Sequence, residues 1–312
     1  MAGQRSIKSR RQCLLAVAIV GVMPGSFQLY ATEADPGPSQ PPAQTERPPQ
    51  SDTRDRNVYL DGQSSDRGLI KKFTTNVLLD QKDIWTSPFH LSRSSAKWWI
   101  LAGVGTAALI AADHPVSQAL PFSGNSTNFG TAASRAGQWY TVFPAAGVFL
   151  ATGKALHNEK LEETGILGFE ALVDADVVTN VVKFVARRER PGAGDRGGHF
   201  ETGGSSFPSG HSTQAWALAT VVASEYGDHK WVPYLSYGYA ALVDVSRVLS
   251  QEHFTSDVFV GSAIGFFIGR YVVHTQRLHR EHLHSGRSKL FMPAVFPCLS
   301  PVQKTVTLSW AY

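Results

Sequence analysis

Six apolar stretches, at 97–112, 136–153, 161–189, 211–226, 231–249 and 255–273, lack the strict polar-apolar alternation of strands, and several are too long for an ordinary strand. They predict an all-α fold, a bundle of about six core helices. The ends of the chain read differently. Thr305 to Trp310 alternates polar and apolar residues, which predicts a short C-terminal β segment in a tail over 291–312, with 291–295 as its candidate partner. Residues 35–57 (DPGPSQPPAQTERPPQSDTRDRN) are rich in proline and polar residues and cannot bury enough apolar surface to fold. They predict a disordered tether over 32–57. The folded domain then spans 58–290, ample for one core.

The first residues say where this domain works. Arg5, Lys8, Arg10 and Arg11 form a basic start, and the apolar run from Cys13 to Met23 is too short to span a bilayer comfortably but suits a secretory signal over 1–31. Export to the periplasm or cell envelope is the expectation. The whole chain carries 29 basic and 25 acidic residues; the four basic residues of the signal leave 25 against 25. A neutral mature chain with no recognised nucleic-acid motif gives no reason to expect a nucleic-acid partner. Of the two cysteines only Cys298 lies beyond the signal, so no internal disulfide forms and the core must supply stability.

Membrane insertion is weighed by charge. Trp98 to Ala112 is an uncharged run of fifteen, short of the roughly twenty needed to span. Glu170, Asp174 and Asp176 interrupt the third stretch, and Asp257 and Arg270 the last. These interruptions favour a soluble or peripherally attached envelope protein over a polytopic one.

Three clusters carry chemistry: Lys183 to Pro191 (KFVARRERP), Pro208 to His211 (PSGH) and Ser246 to Asp257 (SRVLSQEHFTSD). Lys183 and Arg190 are seven residues apart, close to two helical turns, so both leave one face. Pro191 ends that helix and sets the Arg190 guanidinium at an edge where it can fork onto two oxygens. His253 and Asp257 are four apart; a carboxylate there can accept from one ring nitrogen and leave the other free to attack. Ser209 and Gly210 open an apolar helical stretch, and helix starts bind anions. Fixed cations around a poised histidine suit a phosphoryl site.

K-x6-RP, PSGH and SR-x5-H-x3-D, in this order, resemble the three-part signature of the type 2 phosphatidic acid phosphatase (PAP2) superfamily, which also holds bacterial acid phosphatases and vanadium haloperoxidases. The resemblance covers Lys183 to Asp257 without a gap. It implies that His253 is the nucleophile, that Asp257 orients it and that His211 is the general acid and later the base. Lys183, Arg190 and Arg247 correspond to the phosphate clamp, with Ser209 and the Gly210 amide as further oxygen contacts. It implies no metal and no cofactor, with vanadate only as a phosphate mimic. The expected partner is a phosphorylated small molecule or lipid, with a membrane surface nearby. Two other readings use the same residues: a vanadate-dependent haloperoxidase, and a non-catalytic protein that binds phosphate or lipid phosphate. The Gly-rich segment 192–204 is either part of the substrate entrance or a flexible connector.

Overall fold

A computed structural model of the chain describes residues 57–60, 68–87, 93–120, 123–193, 197–291, 294–299 and 304–309. The signal over 1–31 and all of the expected tether except its last residue lie outside the described residues. That last residue, Asn57, is buried: its amide donates to Asn76 Oδ1 at 3.0 Å, and Asn76 Nδ2 returns a bond to the Asn57 carbonyl at 2.9 Å.

The helices are α1 (Leu69–Thr86), α2 (Arg93–Ala119), α3 (Gly124–Ser134), α4 (Trp139–Leu156), α5 (Glu159–Ala186), α6 (Gly210–Glu225), α7 (Trp231–Leu249) and α8 (Thr255–Phe291), with a 3₁₀ turn at Arg135–Gly137. The six stretches marked by apolar pattern fall on α2 and α4 to α8. Helices α1 and α3 were not expected. In α1 the buried positions Lys72, Asn76 and Asp80 are polar and four residues apart, while Ile70 is 80% and Leu78 71% exposed, so apolar periodicity marks the wrong face. In α3 the sequence GNSTNFGTAAS has one large apolar residue.

Helix α6 sits at the centre and packs on α5, α7 and α8. It can lie close to α8 because small residues line the seam. A Cβ at Gly261, Gly265 or Gly269 would come within 2.5, 2.1 and 2.5 Å of the carbonyl oxygens of Ser209, Thr213 and Ala217. This stripe of three glycines, spaced four residues apart, lets the two backbones touch. Buried Ile166, Leu167, Ala171, Ala175, Val178, Ala217, Val221, Ile268, Val272 and Val273 form the main core between α5, α6 and α8. The start of α6, the start of α8, the end of α5 and the end of α7 thereby meet at one end of the bundle.

The acidic interruptions of α5 point inward. Tyr59 Oη donates to Glu170 Oε2 at 2.6 Å, Gln81 Nε2 to Asp174 Oδ1 at 2.8 Å and Gln214 Nε2 to Asp176 Oδ1 at 3.0 Å. Exposed faces meanwhile carry Ile100, Leu101 and Val104 on α2, Val181, Phe184 and Val185 on α5, and Leu235 and Leu242 on α7. Charges that face partner helices do not count against lipid outside, so they give no ground for preferring a soluble bundle. Ile100–Ala119 and Thr255–Glu281 are long and apolar enough to cross a membrane, by length and composition.

The architecture is all-α. After the last helix the backbone pairs Ala294–Leu299 with Lys304–Ser309 in antiparallel register, Val295 opposite Leu308; this terminal pair contributes no residue to the site described next.

Candidate active site

The end of the bundle where α5, α6, α7 and α8 meet gathers all eight residues marked by sequence. Lys183 lies in the last turn of α5 and Arg247 in the last turn of α7, where cations also favour the negative helix end. Ser209 is the N-cap of α6, its Oγ facing the Ser212 amide, and its own amide donates to the Asp257 carbonyl at 3.0 Å. Gly210 follows as the first helical residue. A Cβ there would stand 3.6 Å from Lys183 Nζ, so the ammonium and this helix start share one space.

His253 is buried in the loop before α8, and its Nδ1 lies 2.6 Å from the Ser206 carbonyl oxygen. A carbonyl only accepts, so Nδ1 carries the proton and Nε2 keeps its lone pair. Asp257, the expected orienting group, is 3.7 Å from Nδ1. It acts one layer further out: Oδ2 accepts from Ser206 Oγ and from the Phe254 amide at 2.9 Å, so it holds the segment whose carbonyl holds the ring. The Gly-rich connector thus has a structural task that includes positioning Ser206. It folds back on the end of α5 through Glu189 N to His199 O at 3.0 Å and Ser206 N to Arg188 O at 2.9 Å.

Sequence reasoning passed over Arg188, Asp113 and Glu252. Arg188 is 1% exposed, whereas its neighbour Arg187 is on the surface. Its Nη1 reaches Asp257 Oδ1 at 2.6 Å and Ser256 Oγ at 2.7 Å, Nη2 reaches Asp113 Oδ2 at 2.8 Å and Nε reaches the Gly198 carbonyl at 3.0 Å. The guanidinium also lies 4.3 Å from the ring of Phe254 and 4.8 Å from that of Phe200. Asp113 Oδ1 accepts from the Ser256 amide at 3.0 Å, so a residue of α2 satisfies a free N–H at the start of α8. A basic run at a helix end does not announce which of its arginines turns inward. Glu252 lies beside the clamp: Arg190 Nη1 donates to its Oε2, and Arg247 Nη2 stands 3.7 Å from the same oxygen.

Cations outnumber acids in the site. Burial, then Arg190 and Arg247, hold the Lys183 ammonium below its usual range. Burial lowers Arg247 to about 10, partly offset by Glu252. Burial, then Arg247, His253, Lys183 and Arg190, push His211 down to about 3, and its Nε2 is buried with no hydrogen-bond partner. His253 falls to about 4, mainly through burial. Cations crowded to the point of lowering one another's proton affinity are what an anion would relieve. Among the described residues no group of three or more His, Cys, Asp or Glu side chains is placed to hold a metal ion.

These shifts set a pH dependence. Both folded pKa values lie below the ordinary 6.5, so the unfolded chain takes up protons first as pH falls. The stability that the two neutral rings contribute is complete above about pH 6.5 and is lost, by up to roughly 1.4 kcal/mol per unit for each ring, as pH falls through the folded values. Thermal melts between pH 7.5 and 4 are expected to show a falling midpoint, less steep with phosphate present or in His211→Gln. An equally steep fall in that variant would contradict the assignment of His211.

Residues 165–281, which contain every residue of this constellation except Asp113, match the PAP2 superfamily. A lipid A 1-phosphatase of Porphyromonas gingivalis is 38% identical over 69 residues, 22% of this chain and 16% of the relative. The match thus spans about a sixth of that curated relative. Among solved structures, LpxE of Aquifex aeolicus is 25% identical with a TM-score of 0.39, over 49% of this chain and 87% of the other. A transmembrane PAP2 type phosphatidylglycerolphosphate phosphatase of Bacillus subtilis is 18% identical with a TM-score of 0.42, over 66% and 94%.

Proposed function

This chain belongs to the PAP2 superfamily through residues 165–281, and from that premise we propose that it is a metal-independent phosphatase of lipid phosphates, working through a phosphohistidine at the edge of a membrane. The observation that carries the reading is the unprotonated Nε2 of His253, fixed by the Ser206 carbonyl and facing a site rich in cations.

In the proposed reaction His253 Nε2 attacks phosphorus and a P–N bond forms as the ester P–O bond breaks. Lys183, Arg190, Arg247 and the Gly210 amide take up the charge of the equatorial oxygens, and Ser209 holds the helix start that presents that amide. His211 gives its proton to the leaving oxygen. An incoming phosphate dianion raises His211 from its depressed value, so the substrate itself favours the acid form. Water then loses a proton to His211, its oxygen attacks phosphorus and the P–N bond breaks, releasing inorganic phosphate and restoring both histidines.

A lipid substrate is favoured by the exposed apolar side chains of the helices around the site: Val181, Phe184 and Val185 on α5 and Trp139 and Tyr140 on α4 suit contact with acyl or prenyl chains. The name of the Porphyromonas relative points the same way. The outward apolar faces of α2, α5 and α7 support membrane association, and the basic N-terminal start supports export.

Phosphate release without added metal, from p-nitrophenyl phosphate and from detergent-dispersed phosphatidate, phosphatidylglycerophosphate and undecaprenyl pyrophosphate, tests this reading. Turnover of a lipid at a kcat/KM well above that of the soluble ester is expected. Preference for the soluble ester by protein that needs no detergent would overturn the lipid assignment. His211→Ala is expected to slow turnover by roughly 10²–10⁴-fold, most for esters with poor leaving groups. Equal losses for p-nitrophenol and for an alkyl alcohol would contradict its role as the acid.

A further inference from the structure

Glu252 is an acid in the middle of a cation clamp. It directly precedes the buried His253, and its amide donates to the Arg247 carbonyl at 3.3 Å. One carboxylate oxygen, Oε2, meets both Arg190 and Arg247, the two guanidinium groups of the clamp. The carboxylate therefore stands where a phosphate oxygen bound by the same two arginines would stand. It fills the clamp incompletely, because Arg247 Nε remains buried with no hydrogen-bond partner. A tetrahedral phosphoryl group has one more oxygen to offer than a carboxylate and can reach donors that Glu252 leaves unused.

Resting on the phosphatase reading of this site, we propose that Glu252 sets the affinity of the clamp: its carboxylate acts as an internal competing anion that weakens the hold of Arg190 and Arg247 on phosphate. Any incoming phosphate must displace Glu252 from Arg190 and Arg247 or bind beside a like charge. The same contact favours release of the product, which is inorganic phosphate itself.

Because Glu252 and Arg190 are each about two-fifths exposed, the pair can separate without opening the core. Glu252→Gln keeps the shape and the acceptor oxygen while removing the charge. Titration calorimetry with inorganic phosphate on the full chain in detergent, wild type against Glu252→Gln, reads the effect directly. The expected result is at least tenfold tighter phosphate binding by the variant. Product inhibition in the hydrolysis of a lipid phosphate should strengthen by a similar factor in Glu252→Gln. Glu252→Asp, whose carboxylate is drawn back by one methylene, should lie between the two. Unchanged or weaker phosphate binding by well-folded Gln and Asp variants would overturn the proposal. A wild-type chain that binds phosphate yet hydrolyses no ester would overturn the phosphatase reading, while the titration would still decide whether Glu252 opposes the anion. Failure of wild type and both variants alike to bind phosphate would overturn both.

Discussion

Replacing His253 by alanine is expected to lower kcat by on the order of 10⁴–10⁶-fold, the scale seen when an enzyme loses its nucleophile and keeps only its binding groups. The size follows from the arrangement around the ring. Its Nδ1 proton is committed to the Ser206 carbonyl, and its Nε2 remains available in a buried site where burial holds the imidazole neutral down to about pH 4. A nearby water could not reproduce that orientation. The substitution removes a side chain without leaving a buried charge unpaired, so the folded state should persist. A His253→Ala chain that keeps its melting temperature and more than a hundredth of wild-type turnover would show that another group attacks phosphorus.

The second large effect is on stability. Arg188→Met is expected to cost roughly 3–5 kcal/mol, because it strands two buried carboxylates, Asp113 and Asp257, that share one guanidinium. Both are at most 2% exposed. The loss should be partly recovered in the double variant with Asp113→Asn, which removes one of the stranded charges. Chemical denaturation of the three variants measures this. A simple sum of the single costs would show that Arg188 and Asp113 do not act as a pair. The consequence for function is that Arg188 joins α2 to the first turn of α8 and steadies Asp257, which steadies Ser206, whose carbonyl fixes the His253 ring. Turnover by Arg188→Met should therefore fall even where the protein remains folded.

Much of this site was legible in the sequence because its parts are local. Ser209 and Gly210 open a helix as the sequence predicts, but the shared helix faces do not form: α5 ends at Ala186 with Arg187 left-handed, so Arg190 lies in the loop beyond it, and His253 precedes the first turn of α8, so in each pair only one residue is helical. The links between segments were not legible. Nothing in the string says that the Ser206 carbonyl rather than the Asp257 carboxylate is the direct partner of His253 Nδ1, since any residue has a carbonyl. Arg188 looks like its neighbours until Asp113, 75 residues earlier, is brought against it. Glu252 carried no signal because its meaning comes from two arginines at once, Arg247 five residues before it and Arg190 on a distant segment. Similar physics governed the fold. Six helices were visible as apolar stretches, whereas α1 buries Lys72, Asn76 and Asp80 and turns Ile70 and Leu78 outward. The same inversion misled the charge count of α5, whose acids face Tyr59, Gln81 and Gln214. Apolar periodicity finds the face hidden from water; it does not find the inner face of a bundle whose outside is itself apolar.

In the proposed reaction phosphate passes through His253 on its way to water. Rapid acid-free quenching of the full chain during turnover of a ³²P-labelled lipid phosphate, followed by digestion and mass spectrometry under alkaline conditions, tests it most directly. The expected result is an acid-labile, alkali-stable label on the peptide that contains His253, absent from His253→Ala and accumulating in His211→Ala, where the water that should release it is no longer activated. A label on another residue, or full turnover with no labelled histidine and with loss of activity on chelation, would contradict it.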